Sequence, residues 1–370
     1  MPIYMDRHDV SEEVTAEIVA ELHQADLKIQ DKFQCRGLTY WFDEKRKTAF
    51  CLVEAPSKKA IQKMHQFAHG EVPNKIVEVD PKIVESFLGR IEDPQKAKNN
   101  SLNIINDPAF RTVMVVVLKN LPRKQNAADT FTSSGYKHKL AKLLKMYKGS
   151  VVNQAENYFL VSFQSVTSAV RAAFDISSSF NHFKNEFKEN KAVLKIGLSA
   201  GLPITEKKLF FGEAIKLAER MCKAVKGEII ISAAVRELYN SENSKYLTAD
   251  KNVFCLSETE EKFLVLLMDY TESSWYDTNL KVEDLTRPLQ CSKSQLYRKL
   301  LSISGQSPNA FIQEYRLNEA LALLNKNNRN VSEVAFETGF SSPSYFSKCF
   351  QKKYGYLPSR LSSRSSALLF

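Results

Sequence analysis

Four of the six histidines fall within the first 70 residues, at His8, His23, His65 and His69, and the last two are spaced i, i+4. On a helix that spacing puts both imidazoles on one face, which is the geometry a borderline transition metal takes from a helix. Asp6 and Asp26 are candidate carboxylate ligands or hydrogen-bond partners for the ring nitrogens. The plain alternative is a set of ordinary surface or hydrogen-bonded histidines in a domain kept for dimerisation. A second set of residues is cationic and hydroxylic: Lys293, Ser294, Tyr297, Arg298 and Lys299, then Ser344, Ser347, Lys348, Lys352 and Lys353. Such groups on outward helix faces meet phosphates and base edges, although solvated helix faces carry the same residue types. Between the two sets, Lys216 and Arg220 stand one helical turn apart and could hold a phosphate, or simply form a wet helix face. His138 and His182 have no such company and read as surface residues.

The elements that must position these groups follow from hydrophobic period. Over residues 1–80 the pattern gives a strand at Pro2–Asp6, a helix at Ser11–Gln30 and strands at Leu38–Phe42 and Thr48–Val53. A helix at Ser57–His69 and a strand at Lys75–Val79 complete it. The order βαββαβ is that of a ferredoxin-like plait. Residues 81–109 read as a linker, polar and Asn-rich from Glu92 to Pro108. Residues 110–257 alternate strands and helices, from TVMVVVL to a last short strand at Val253–Leu256. From Phe263 the signals are almost all helical, and the third domain is set at 263–365. The expected fold class is therefore multidomain α+β: a plait, a second α/β domain and an all-α tail.

The 370 residues, 44% hydrophobic and 25% charged with 12 Gly and 12 Pro, fit two or three ordinary globular domains and exclude collagenous or disordered classes. No apolar run exceeds Val113–Leu118 and MPIYMDRHDV has no signal-peptide core, so no membrane partner and a cytoplasmic location are expected. Six scattered cysteines without a C-x-x-C pair fit a reducing compartment. The net charge is −3 over residues 1–80, +8 over 81–261 and +5 over 262–370, a basic body that suits an anionic partner.

The tail holds two helix-turn-helix patterns. In the first, Ser292 with Gln295 forms a capping box, Leu296, Leu300 and Ile303 point inward, and Ser294, Tyr297 and Arg298 point outward. In the second, Asn330 with Glu333 opens one helix, Gly339 sits where a left-handed residue is wanted, and Ser342-Pro343 opens the next. There Phe346 and Phe350 point inward, leaving Ser344, Ser347 and Lys348 outside. A helix capped by Ser307 and Pro308 joins the two; at 1.5 Å per residue it is roughly 27 Å long, close to the ~34 Å of one duplex turn.

Through SQLYRKL, GQSPNAFIQEYRLNEALALL, NVSEVAFETGFSSPSYFSKCFQKKYG and Leu357-Pro358-Ser359, the tail resembles the AraC/XylS family of transcription regulators. That resemblance implies base reading by Ser294, Tyr297, Arg298, Ser344, Ser347 and Lys348, with Lys293, Lys299, Lys352 and Lys353 on phosphates. Through MDRH, LHQADLKIQD, CLVEAPS and MHQFAHGEVPNKIVEV, residues 1–80 resemble a family of nickel-binding plait proteins, which makes His8, His23, His65 and His69 candidate ligands. The middle runs GSVVNQAENYFLVSFQSVTSAVRAAFDI and LKIGLSAGLPITEKKLFFGEAIKLAERMCKAVKGEIIIS resemble the class III nucleotide cyclase domain. There the resemblance implies two metal-holding aspartates, but Val117 and Asn157 stand at their positions. Lys216 replaces the motif's asparagine and Arg220 keeps its transition-state arginine.

Together these readings anticipate a homodimeric, sequence-specific regulator bound to an operator, and not an enzyme. Nickel or another divalent transition metal is the expected cofactor, and a metal or nucleotide the expected kind of effector. The middle domain reads as a dimerising scaffold, a nucleotide sensor without turnover, or an enzyme with its metals held elsewhere. The competing classes are a nucleotide cyclase or metal-binding enzyme with an appended DNA-binding tail, and a metal-storage protein.

Overall fold

A computed structural model of the chain describes residues 1–94, 102–119, 133–187, 192–205, 209–244, 253–326 and 329–362. The chain divides into two compact units, residues 1–222 with 227–255, and 223–226 with 256–370.

In the first unit the order β1 (Ile3–Asp9), α1 (Ala16–Ile29), β2 (Arg36–Asp43), β3 (Thr48–Glu54), α2 (Lys58–Ala68) and β4 (Lys75–Glu78) builds a four-stranded antiparallel sheet in the order β2-β3-β1-β4. This is the plait. Its strands are apolar on both faces, and the period of two sends alternate side chains to different cores. Tyr4, Tyr40, Phe42, Cys51 and Val53 pack under α1 and α2 with Val19, Ala20, Ile61 and Met64. Met5, Trp41, Phe50 and Leu52 belong instead to a cluster with Val113, Val115 and Leu160 of a second sheet.

That second sheet is formed by β5 (Arg111–Lys119), β6 (Ser150–Ala155), β7 (Tyr158–Phe163), β8 (Val193–Gly201), β9 (Ile229–Ile231) and β10 (Val253–Cys255), in the order β10-β9-β8-β5-β7-β6. Val113–Leu118, the longest apolar run, is its central strand, bonded on both sides to β7 and β8. Helices α4 (Ser133–Met146), α5 (Val166–Phe187) and α7 (Ala233–Glu242) supply Leu140, Leu144, Val170, Ile176 and Val235 to the core on one face of this sheet. Helix α6 (Gly212–Ala224) places Ala214 and Ala218 in the cluster shared with the plait.

One expectation needs correction. The polar pattern makes residues 81–109 a linker, but Pro81–Leu88 form a helix, α3, started by the side chain of Asp80, with Pro81 in its first turn and Gly89 at φ +83 ending it. Val84, Phe87 and Leu88 lie in the shared core. Buried Arg111 donates to the carbonyls of Phe87 and Leu88 at 3.0 and 3.2 Å, satisfying the end of α3. The plait and the second sheet are thus parts of one packed unit.

The second unit is helical among its described residues: α8 (Glu258–Ser274), α9 (Val282–Thr286), α10 (Lys293–Ser304), α11 (Pro308–Lys326), α12 (Val331–Glu337), α13 (Pro343–Tyr354) and α14 (Ser359–Ser362). Ser292 and Gln295 form the capping box of α10, and Gly305 ends it at φ +74. On α13, Ser342 accepts from the Tyr345 amide, Pro343 stands in the first turn and Gly355 ends the helix at φ +81. Leu296, Leu300 and Ile303 are buried in the first half, and Val334, Ala335, Phe346 and Phe350 pack on Leu317, Ala320 and Leu324 in the other. No helix among the described residues is long and apolar enough to cross a membrane.

Candidate metal cluster and nucleic-acid interface

The plait brings together residues that are far apart in sequence. Asp6 and His8 lie two residues apart on β1, hence on one face, and Cys51 on β3 is the cross-strand partner of Asp6. Helix α1 contributes Asp26, and α2 contributes His65 with His69 just past its last turn. His65 stands at the centre: Nε2 is 3.1 Å from Asp6 Oδ2 and Nδ1 is 3.0 Å from Asp26 Oδ2. His69 Nε2 is 3.3 Å from Asp26 Oδ1, and His8 Nε2 is 3.3 Å from Asp6 Oδ1. The Cys51 amide donates to Asp6 Oδ1 at 3.2 Å.

The electrostatics follow from this burial. Desolvation works against the charged forms, but the bonds and opposite charges between partners outweigh it. His65 is pushed up to about 10, against its burial, by hydrogen bonds to Asp26 and Asp6 and by their charges. Asp6, despite complete burial, is held well below the usual carboxylate range by His65 and His8. Asp26 is lowered by His65 and His69. Burial, followed by the charges of Asp6 and Asp26, pushes the Cys51 thiol well above its ordinary value.

His23 does not join this cluster. It lies 3.7 Å from Asp93 with its ring against Tyr40, centroids 4.9 Å apart. The strand pattern hides Cys51, because AFCLVE reads as a uniformly buried strand; its place opposite Asp6 becomes visible once the β1–β3 register is fixed. The donor set of imidazole, carboxylate and thiol suits a borderline divalent metal such as nickel. Two buried atoms, His8 Nε2 and Asp26 Oδ1, lack a hydrogen bond of acceptable geometry, so the residues present fit such an ion.

At the other end, α10 exposes Lys293, Ser294, Tyr297, Arg298 and Lys299 around its buried stripe, and α13 exposes Ser344, Tyr345, Lys348 and Lys352, with Ser347 half-buried. Tyr345, which the sequence pattern does not single out, takes a hydrogen bond from Gln313 of α11 at 2.8 Å. Lys293 pairs with Glu283 at 2.5 Å, and Lys299 lies 5.4 Å over the Phe263 ring. Lys353, expected at a phosphate, is instead engaged with α11, 2.8 Å from Asn318 and 3.2 Å from Glu314. It faces inward because its helix packs there, as does Tyr354, whose hydroxyl donates to the Leu317 carbonyl at 3.1 Å. Arg316 of α11 donates to the Trp275 carbonyl at 2.8 Å and reaches Asp277, and it packs against Gly339 in the second turn.

In the middle sheet, Val117 is half-buried and pairs with Tyr158, while Asn157 in the adjoining turn is exposed and its carbonyl accepts from the Leu118 amide at 2.9 Å. Lys216 is exposed but Arg220 is 4% exposed, so the expected pair does not present two cations on one open face. One helical turn places them in line, yet packing on the sheet covers only the second.

Residues 285–364 match the family described as a helix-turn-helix domain. Residues 4–79 match the family described as nickel responsive protein SCO4226-like. The chain is 35% identical over 124 residues to histidine kinase P4 of Formosa agariphila, covering 34% of this chain and 9% of that protein. It is 33% identical over 99 residues to the HTH-type transcriptional regulator YidL of Escherichia coli, covering 27% of this chain and 32% of that protein. Among solved structures, SCO4226 of Streptomyces coelicolor is 32% identical, the match covering 21% of this chain and 94% of that one, with a TM-score of 0.20. The chain therefore spans no more than a third of the length of these two curated relatives. On these matches it carries an AraC-type helix-turn-helix domain in its C-terminal part and a domain of the nickel-responsive SCO4226-like family in its N-terminal part.

Proposed function

We propose that the protein is a sequence-specific DNA-binding transcription regulator that acts as a homodimer on an operator. One observation carries the reading: two capped helices, α10 and α13, sit at the two ends of α11 and expose hydroxyl, guanidinium and ammonium groups over buried stripes. Arg298 is assigned to a guanine, whose O6 and N7 a guanidinium bridges, and Ser294, Tyr297, Ser344, Ser347 and Lys348 to neighbouring base edges. Lys293, Lys299 and Lys352 are assigned to phosphates, where they add affinity and salt dependence but little preference.

The plait supplies a metal-responsive input in this reading. His8, His65 and His69 with Asp6 and Asp26 would hold nickel or a similar ion, which supplies there a compact positive charge that ties three elements together. The middle domain, residues 110–257, serves as a cyclase-derived scaffold without turnover: valine offers no ligand at 117, and the Asn157 amide carries no charge to offset a metal.

The test is a selection of duplexes bound by the full chain from a random pool, with and without nickel chloride. Enrichment of one motif whose recovery depends on nickel is expected; equal retention of scrambled and enriched duplexes would overturn the assignment. For the scaffold, incubation with manganese and ATP or GTP should give no cyclic nucleotide, and measurable product would sink that part.

A further inference from the structure

The ionisable groups under α1 and α2 are not one ring of ligands. Among the described residues they fall into two triads, Asp6 with His8 and Cys51, and Asp26 with His65 and His69, each offering one ligand atom per residue within 4.8 Å of the others. Ligands held at about 2.0–2.3 Å from one ion lie roughly 3–4 Å apart, so each triad needs little closure to hold an ion. His65 separates them, with Nε2 turned to Asp6 and Nδ1 to Asp26.

Each triad also keeps its own unspent atom. In the first it is His8 Nε2; in the second it is Oδ1 of Asp26, whose residue is 4% exposed. A buried polar atom without a partner costs about 1–3 kcal/mol, and one ion placed in either triad would leave the other atom bare. His8 and His69, one in each triad, are the members that reach toward solvent and so give each position an entry. Charge agrees: two carboxylates and one thiolate offset most of the charge of two dications.

We propose that the plait binds two divalent transition-metal ions per chain, one by Asp6, His8 and the thiolate of Cys51, the other by Asp26, His65 and His69. The inference rests on the metal-binding reading above and adds a count and a ligand to it. The two positions differ in kind, since a thiolate favours softer ions and the nitrogen-rich triad suits nickel, cobalt or zinc. When the first fills, the Cys51 thiol loses its proton to solvent and a sulfur–metal bond forms.

The experiment uses the full chain and cobalt(II) or nickel(II) chloride, with bound metal counted after equilibrium dialysis and the near-ultraviolet thiolate-to-metal charge-transfer band recorded. Two equivalents and a band are expected from the unaltered protein. Cys51→Ser should lose one equivalent and the band; His69→Ala should lose one equivalent and keep the band. One equivalent without a band in the unaltered protein overturns this inference but leaves a metal-responsive plait standing. No uptake at all overturns both. Because the band is read on the unaltered chain, a variant that fails to fold does not shelter the claim, and circular dichroism checks each variant.

Discussion

In the plait, Asp6, Asp26 and His65 are buried and spend their charges on one another, whereas on α10 and α13 Arg298, Lys348 and Lys352 stand in solvent with their charges unspent. The same chemistry therefore has opposite consequences. A buried pair is strong and intolerant, because removing one partner strands the other in a poorly solvating interior. An exposed cation contributes almost nothing to the fold and is available to a polyanion. Lys353 marks the boundary: it belongs to the second region by sequence and to the first by behaviour, being held by Glu314 and Asn318.

The largest predicted effect is in the plait. Asp6→Asn takes the carboxylate from His65 and should lower the stability of the first unit by about 3–5 kcal/mol, read as an earlier urea transition in Trp41 fluorescence. A transition left in place would mean the pair is not a strut of the fold, and the contrast between the regions would fail.

Gly339→Ala comes next. Gly339 is at φ +76, and an added Cβ would stand 2.8 Å from the Trp275 carbonyl and from Arg316 Nε. Backbone strain of about 1–3 kcal/mol is predicted, seen as a lower melting temperature together with weaker DNA binding. Equal melting temperatures would show that the turn can relax.

Arg298→Ala should leave the melting temperature unchanged and cost about 1–3 kcal/mol of discrimination at one base position, measured by competition between operators differing at that position. A uniform loss across all sequences would reassign Arg298 to a phosphate.

The smallest effect separates neighbours. Lys352→Ala should reduce the slope of log affinity against log salt by about 1, and Lys353→Ala should leave the slope alone while lowering stability slightly. If the two slopes change equally, Lys353 leaves α11 when DNA binds and the boundary between the two regions moves.

Much of the fold is legible in the amino-acid pattern. The plait strands and helices fall within a few residues of the periods that announce them, since side-chain alternation is a property of the strand itself. The capping box at Ser292 and Gln295 and the left-handed glycine at 339 are also readable, because caps are satisfied by residues at most a few positions away. Helix α3 carries its own signals in Asp80, Pro81 and Gly89, but eight residues give barely two turns of pattern, and its apolar face has meaning only against the sheet it covers.

What the amino-acid order determined, then, is the elements, their caps and which face of each is apolar, all fixed by interactions within one or two turns. Tertiary structure decided which of those faces meet. Asp6 reaches His65 across 59 positions, Cys51 turns from core strand residue to candidate ligand by lying opposite Asp6, and Lys353 and Arg220 turn inward where their neighbours Lys352 and Lys216 do not. The reason is physical: spacing along a chain constrains direction over a few ångströms, whereas burial and charge pairing depend on whatever the packed core brings to the other side.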